Sequence, residues 1–459
     1  WRPRPRAGLD RVRFRTLGGV WHGLKTAGTL DERVQRGLDA RQRVPHDAHT
    51  DLYRSQVRPD PLALVLEQDQ DRIPTLIGIR HERMAHDVHS YLRGSDVVMA
   101  ADLAVTPVSE VHVQACGDVD ACTFGYYRSP DGDAVFDLGY FDETLRAPWE
   151  WDVKRMAVAM ALAVRVTGAP GKDQRAVARA AVDGYRRGIA WAADQDRLNL
   201  WFAGLPDGEV SRAVDKSARR QRDLAFTDEA MLYADMIEQD GAAPQLRHAA
   251  PIHPLTDWLS EEAAVQVHEG LTDLMSAYFT SVTPEVQQML TEYRIADVGM
   301  LVRGVSDVGL RTFVVLLQGT RRHELVALQV KEARQSVLQP YVLPEFRHRG
   351  NQARRIALGQ ALIQSEPDPL LGFSRWRDRD YFVSQLRPVV TSYQRMGPEA
   401  MPRYARLCGF ALARSHAVTG DRIAIDAYLG DTDSFPKAVA RYAVRYADLV
   451  EADYTQFVK

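Results

Sequence analysis

The chain has 459 residues, of which 45% are hydrophobic, and a formal net charge of −3 at pH 7. This length and apolar content suffice for two or three packed units, and the small negative charge excludes the strongly basic surface typical of nucleic-acid-binding proteins. No stretch approaches the roughly eighteen apolar residues of a membrane-spanning helix, so we expect no membrane partner, and the cysteine content indicates a reducing cytoplasm.

Three cysteines, Cys116, Cys122 and Cys408, are an odd number without the spacing of metal ligands. A reducing compartment is the simplest interpretation. We expect each thiol to be a small buried apolar side chain.

The amino-terminal region begins with arginines interspersed with prolines over residues 1–20, which indicates a surface arm. Apolar spacing predicts helices over residues 31–43 and 80–93. The second range contains several histidines, but it lacks the paired ligands of a helical metal site, so we interpret them as structural.

Short strands and a tight turn follow. Residues 111–115 alternate apolar and polar side chains, as a half-buried strand does. Residues 129–133 combine proline and glycine in a turn, and residues 134–138 form the second strand of the predicted hairpin.

The strongest hairpin comes much later, with strands over residues 311–317 and 325–331. Residues 381–386 form a short apolar run typical of a hinge strand. Residues 204–255 are rich in loops. Helices are predicted over residues 151–167, 174–191, 228–239, 256–281, 284–293, 351–364, 404–415 and 436–458.

Two acidic side chains, Asp118 and Asp120, lie two residues apart in a predicted loop. Carboxylates this close can acquire different pKa values and so divide acid and base roles. Lys331 ends the second strand of the later hairpin and is one of only seven lysines. The alternatives are that Asp118 caps a loop and that Lys331 is a surface lysine.

The stretch Gly117-Asp118-Val119-Asp120-Ala121-Cys122-Thr123, followed by Asp137 and by Pro148-Trp149-Glu150-Trp151-Asp152, resembles the aminoglycoside- and choline-kinase branch of the protein-kinase-like superfamily. The resemblance implies that Asp118 is the catalytic acid or base and that Asp152 braces its loop. It further implies that Asp137, together with Thr123, holds Mg²⁺, and that Lys331 holds phosphates.

More closely, the chain is similar to a bacterial family known as domain of unknown function 2252, over roughly residues 75–459. The matching stretches include Tyr91-Leu92-Arg93-Gly94, Phe141-Asp142-Glu143-Thr144-Leu145 and Gln329-Val330-Lys331-Glu332-Ala333. This resemblance implies a kinase-like fold in which the catalytic loop precedes the glycine loop, so that the motif order is circularly permuted.

Several positions depart from the kinase pattern. Thr123 replaces a metal-binding asparagine, Asp120 replaces a histidine, and Leu358 stands where the helix after Lys331 carries a glutamate in the family. The glycine loop, residues 304–309, contains Asp307. Like charges about 4 Å apart cost about 4 kcal/mol even at an effective dielectric of about 20, so ATP and Mg²⁺ are possible but disfavoured cofactors unless a cation bridges Asp307 or its side chain turns away.

The candidate catalytic residues are therefore Asp118, Asp120, Asp137 and Lys331, and we expect both Asp118 and Asp137 to meet Lys331 across one cleft. The candidate substrate- or nucleotide-binding residues are Gly304, Ser306, Asp307, Gly309, Arg311, Tyr140, Asp142 and Arg93. Tyr140 has two interpretations, a packing residue or the wall of a site for an aromatic ligand.

Three functions remain open. The chain is a kinase-like scaffold repurposed for acid–base chemistry on a small molecule (a condensation, cyclisation or isomerisation), an ATP-dependent phosphotransferase, or a non-catalytic binding protein in which the acids and the lysine satisfy one another.

The fold class predicted is α+β, with a helical large lobe and a small antiparallel lobe. The predicted divisions are an outer extension over residues 1–90, the large lobe over 91–290, the small lobe over 291–386, and completing helices over 387–459.

Overall fold

The computed structural model describes residues 28–52, 58–129, 134–205, 235–238, 243–386 and 399–459. The predicted arginine-rich arm lies outside these residues, and so does most of the helix predicted over 228–239. Within them the mixed α+β class is confirmed, because a helical layer packs beside an antiparallel sheet.

The elements are labelled in chain order. The helices are α1 Leu30–Arg43, α2 Pro61–Asp69, α3 Pro74–Met84, α4 Val88–Gly94, α5 Asp96–Leu103, α6 Trp149–Arg165, α7 Gly171–Ala193, α8 Arg197–Phe202, α9 Glu261–Phe279, α10 Pro284–Leu290, α11 Gln352–Ile363, α12 Met401–Thr419, α13 Arg422–Leu429 and α14 Ser434–Phe457. The strands are β1 His112–Ala115, β2 Phe124–Arg128, β3 Ala134–Leu138, β4 Leu145–Pro148, β5 Ile237–Glu238, β6 Gln245–Leu246, β7 Ile252–His253, β8 Arg294–Leu301, β9 Thr312–Gln318, β10 Leu325–Ala333, β11 Gly372–Trp376 and β12 Arg379–Gln385.

The larger sheet has the strand order β11-β12-β10-β9-β8-β7. The predicted late hairpin is confirmed as β9 and β10, which pair antiparallel with Lys331 opposite Thr312. Strand β9 is buried along its whole length, as its run of β-branched and large apolar residues requires. Residues predicted as a hinge strand form β12, which lies inside the sheet between β10 and β11.

Helices α9 and α10 pack on this sheet. Leu271, Leu274 and Tyr278 of α9 share one apolar cluster with β9 and β10. The Tyr278 hydroxyl donates to the Leu370 carbonyl at 2.8 Å, next to the start of β11. The predicted boundary between the large and small lobes at residue 290 therefore separates these helices from the sheet, although both share one apolar core.

The helical layer is built around α6, which is buried from end to end except at Arg165. Helices α7 and α12 cross with their backbones in contact. A Cβ added at Gly409 would lie 1.9 Å from the Ala181 carbonyl oxygen, and one at Gly184 would lie 2.0 Å from that of Arg406. Only glycine at both positions allows this approach.

Two local predictions near the amino terminus are corrected. The helix predicted over residues 80–93 is broken into α3 and α4, because the Asp87 carboxylate caps a new helix by accepting from the Ser90 N–H at 2.6 Å. Strand β3 pairs with β2 and not with the strand over residues 111–115, which forms β1 and pairs with β4. The intervening residues 116–123 form a loop at the side of the helical layer.

The three cysteines are buried and form no disulfide bond, as expected for small apolar side chains. In the described part of the chain, no helix has both the length and the apolar character needed to cross a bilayer.

We predict that Gly409→Ala destabilises the protein by about 1–3 kcal/mol, because the added methyl forces α7 and α12 apart. Gly78→Ala is the matched control, since Gly78 lies inside α3 with nothing within 4 Å of an added Cβ. That control should be neutral or stabilise by about 0.5–1 kcal/mol. Urea unfolding followed by circular dichroism measures both, and equal midpoints for the two variants would contradict the close crossing.

Candidate functional site

A cleft between the helical layer and the sheet is formed by two adjoining cavities, of about 430 Å³ and 250 Å³. The residues that line both are Arg93, Tyr140, Asp142, Ser306 and Asp307. The larger cavity also contacts Asp118, and the smaller one contacts Lys331. The structure therefore brings Asp118 and Lys331 to one cleft, although some two hundred residues separate them in the sequence.

The loop that carries Asp118 is held by Asp152, in the first turn of α6. The buried Asp152 carboxylate accepts from the Cys116 N–H at 2.7 Å and from the Gly117 N–H at 2.9 Å, and His416 Nε2 lies 3.1 Å from it. Gly117 has a φ of +92°, and an added Cβ would lie 2.5 Å from the Glu143 carbonyl oxygen. The loop conformation therefore depends on a glycine and a buried acid.

Asp118 faces the larger cavity with 22% of its side chain exposed and forms an ion pair with the buried Arg155 of α6. Burial raises the pKa of the Asp118 carboxyl to about 7, with further contributions from the negative charges of Asp96 and Asp120, although Arg155 acts in the opposite direction. A carboxyl that titrates near neutral pH can both accept and donate a proton.

Asp120 has a different role. Its carboxylate accepts from the Thr123 N–H at 3.1 Å and from the Cys122 N–H, and it binds Arg93 Nε at 2.9 Å. Burial acts to raise the pKa of Asp120, but Arg93 and these loop contacts outweigh it and leave the pKa lowered. The two neighbouring acids thus have pKa values displaced in opposite directions.

Lys331 is 2% exposed and lies between two carboxylates. Its Nζ is 2.8 Å from Asp142 Oδ1 and 2.6 Å from Asp307 Oδ1. The alternative of a surface lysine is therefore wrong. One ammonium between two carboxylates leaves a net negative charge, and burial together with this repulsion raises the pKa of Asp142, whereas Lys331 keeps the pKa of Asp307 lowered despite burial.

The glycine loop connects β8 to β9, and Gly304 and Gly309 adopt positive φ values of 73° and 92°. Between them, Asp307 turns toward Lys331. The lysine is thus the cation that relieves the repulsion expected of a carboxylate in this loop. As long as this ion pair persists, an anion added at Lys331 would lie beside two carboxylates that already bind the ammonium.

Two residues of this site were not predicted from the sequence. Arg355 of α11 donates to the backbone carbonyls of Asp142 at 2.8 Å, Thr144 at 2.6 Å and Arg334 at 2.9 Å. It thereby holds the Asp142 segment next to Arg334, the residue that follows β10. Leu358, on the same helix, is 49% exposed. Asp142 is the acidic partner of Lys331 at the place where the family pattern has a glutamate on this helix.

The second is Glu143, which lines the larger cavity and whose pKa is raised to about 8, chiefly by burial and then by the charge of Asp96. Its carboxylate accepts from the Val337 N–H at 2.6 Å. The only signal for it in the sequence is its position in the Phe141-Asp142-Glu143 stretch. No sequence pattern pointed to Arg355.

Three predicted residues, Asp137, Gly309 and Arg311, line neither cavity. Asp137 is 3% exposed, and its carboxylate accepts from the Ser365 N–H and hydroxyl, both at 2.9 Å, and from the Leu138 N–H at 2.8 Å. The expected meeting of Asp137 with Lys331 across the cleft is therefore not observed, because these donors hold the carboxylate inside the protein. The guanidinium of Arg311 binds Glu332, a lining residue of the larger cavity, at 3.1 Å.

The predicted metal ligands do not form a cluster. Thr123 is buried, and its hydroxyl accepts from the Asp120 N–H at 2.9 Å. Among the described residues, no group of three or more His, Cys, Asp or Glu side chains is arranged to hold a metal ion. Magnesium binding by Asp137 and Thr123 stays a prediction without support from this geometry.

We predict that the Asp118 carboxyl titrates with a midpoint near pH 7, measured by carboxyl ¹³C NMR with Asp118→Asn as the assignment control. Since the folded-state pKa lies above the unfolded value of about 4, Asp118 lowers stability progressively between about pH 4 and 7. Asp118→Asn should remove this pH-dependent loss of stability. A midpoint near pH 4 would contradict the burial of this carboxyl.

We also predict that Lys331→Met destabilises the protein by about 3–5 kcal/mol at pH 7, because two carboxylates are left without their cation. The loss should begin to shrink below about pH 4 and should disappear only as the pH falls through the lowered pKa of Asp307, where the carboxylates are protonated in both proteins. Asp142→Asn is the matched control, and it should cost much less because Lys331 and Asp307 remain as a neutral pair. Denaturant unfolding across pH measures both, and equal losses would contradict the shared ammonium.

Comparison with known proteins gave one significant result. Searches of curated proteins and of solved structures returned no significant match. The model of a bacterial family, described as "Uncharacterized protein conserved in bacteria (DUF2252)", matches residues 72–459. The match includes the cleft residues from Arg72 onward and every element from α3 onward, and the chain therefore belongs to this family.

Proposed function

We propose that the chain is an enzyme that performs acid–base chemistry on a small polar molecule in the cleft, on a circularly permuted protein-kinase-like scaffold and without a nucleotide. The observation that carries this proposal is the contact of Asp307 with Lys331 at 2.6 Å. In a kinase the corresponding lysine holds phosphates, whereas here a carboxylate of the glycine loop takes that position.

The kinase-like part of the proposal is supported by the order of the elements around Lys331. A glycine-bearing loop joins β8 to β9, the lysine lies on the next strand, β10, and a helix, α11, follows. Protein kinases combine a glycine-rich loop, a lysine on the third strand and a following helix in this way. The Asp118 loop, braced by Asp152, comes earlier in the chain, which is the reason for proposing a permuted order.

Electrostatics disfavour phosphate at Lys331. The ammonium already neutralises one of its two carboxylates, and the other remains beside it at 2.8 Å. An incoming phosphate would have to displace Asp307 or lie close to both carboxylates. Each like-charge contact at about 4 Å costs about 4 kcal/mol at an effective dielectric of about 20.

Asp118 is the proposed acid–base group. It is partly exposed to the larger cavity, and its pKa of about 7 permits either direction of proton transfer near neutral pH. Arg155 orients the carboxylate and stabilises its ionised form. Glu143, with a pKa of about 8 on the same cavity, is a second group able to supply a proton.

A non-catalytic binding protein is the second candidate, and the buried Asp142–Lys331–Asp307 contact favours it, since mutually satisfied charges need no substrate. The partly exposed Asp118 distinguishes the two candidates. A binding protein does not require a proton acceptor at this position, whereas an enzyme of the proposed kind does.

The test is a metabolite comparison between a deletion strain and strains complemented with wild type, Asp118→Asn or Asp194→Asn, an exposed control far from the cleft. We expect a metabolite to accumulate in the deletion strain and with Asp118→Asn, and to return to the wild-type level with Asp194→Asn. Full complementation by Asp118→Asn would overturn the enzymatic proposal.

The nucleotide part is tested separately by calorimetry of the purified protein with Mg-ATP and Mg-ADP. We expect no binding heat at millimolar nucleotide, because Asp307 occupies Lys331. Saturable heat that is lost in Lys331→Met would favour the phosphotransferase instead. Asp307→Ser is the informative companion, since removing the carboxylate should create phosphate affinity if the contact is what excludes it.

A further inference from the structure

The segment from α2 to α3, expected on the outside of the protein, binds the glycine loop and contributes to the wall of the cleft. Leu64, Gln68 and Arg72 line the larger cavity. The apolar side chains of Ile73 and Leu76 belong to the core of the sheet. The amino-terminal extension is therefore part of the site and not an outer addition to it.

Arg72 makes the central contact of this segment. Its Nη1 donates to the Ser306 carbonyl at 2.8 Å and to the Val308 carbonyl at 2.6 Å. These carbonyls are on the two sides of Asp307 in the sequence. Holding both fixes the backbone that carries Asp307, and thereby the direction in which its carboxylate points.

Neighbouring residues hold the rest of the loop. The Ile73 N–H donates to the Gly309 carbonyl at 2.9 Å, and Arg83 Nη1 donates to the Gly304 carbonyl at 2.9 Å. Gly309 has a φ of +92°, and a Cβ added there would lie 2.9 Å from the Arg72 Cβ. A glycine at 309 thus serves the approach of Arg72 to the loop.

Arg72 is itself fixed. Its side chain is 4% exposed, and its Nε lies 3.5 Å from Asp69 Oδ1. Asp69 is anchored in turn by Arg80 at 2.9 Å and by His81 at 2.6 Å. A guanidinium enclosed in this way has little freedom, so the loop carbonyls that it binds have little freedom either.

We propose that Arg72 is a positioning residue of the cleft, which holds the glycine loop so that the Asp307 carboxylate stays on Lys331. Its importance for chemistry rests on the proposed function, but the coupling itself is independent of any reaction. When Arg72 is removed, the loop relaxes and the Asp307–Lys331 ion pair weakens. The Lys331 amine then loses its proton more readily and becomes more accessible to reagents.

The experiment is competitive labelling of lysine amines between pH 8 and 10.5, quantified by mass spectrometry on the full chain. In Arg72→Met, we expect Lys331 to be labelled about tenfold faster at pH 9, the change produced when its pKa falls by about 1. Arg72→Lys should restore part of the protection, because an ammonium can still donate to one of the two carbonyls.

Two other lysines of the same chain serve as internal controls. Lys437 is half exposed and normalises the reagent. Lys154 is fully buried in the helical layer, so its labelling reports general opening of the protein. Faster labelling of Lys331 with an unchanged labelling rate at Lys154 supports the proposal. An equal rise in rate at both lysines would show that Arg72 only stabilises the whole protein, and it would overturn the proposal.

The path through Asp307 is tested by a double variant. Asp307→Asn alone should accelerate Lys331 labelling, and Arg72→Met in the Asp307→Asn background should add little. Additive effects would show that Arg72 acts on Lys331 by another route and would overturn the proposal. None of these outcomes depends on catalysis, so a failure here is distinguishable from a failure of complementation by Asp118→Asn.

Discussion

The contact of one ammonium with two carboxylates holds this cleft together. Lys331 belongs to a strand of the sheet, Asp307 to the loop above it, and Asp142 to a segment at the edge of the helical layer. Three parts of the protein therefore meet at a single buried nitrogen. Because a buried charge is tolerated only when it is paired, the relative position of sheet and helical layer depends on this contact.

The same contact determines what the cleft can accept. A lysine already bound to two acids is a weak site for an anion. Burial, together with the negative charge of Asp307, raises the pKa of Asp142 and favours retention of its proton. On the neighbouring wall, Arg155 partly offsets the burial of Asp118 and leaves it titratable near neutrality. This charge distribution is the reason for proposing proton transfer in the cleft and not phosphate binding.

Much of the positioning comes from groups that bind backbone carbonyls or N–H groups. Asp152 holds the Asp118 loop, Arg355 holds the Asp142 segment, and Arg72 holds the glycine loop. Each is buried; Asp152 and Arg355 lie on helices, and Arg72 lies in the short connection between α2 and α3. A loop fixed by its main chain can present a side chain in a defined direction, which is the requirement for selective chemistry at a carboxylate.

Local sequence patterns determined the β9–β10 hairpin and most long helices, and with them the α+β class, since periodicity and turn chemistry are local properties. The candidacy of Asp118, Asp142, Asp307 and Lys331 came chiefly from the resemblance to kinase-like proteins and to the bacterial family. Tertiary structure decided what no local pattern encodes. It directed Asp137 to Ser365, paired β3 with β2, and brought Arg72 and Arg355 onto distant backbone. The physical reason is that a carboxylate or guanidinium binds whichever complementary group the fold brings within about 3 Å, and chain separation carries no information about that distance.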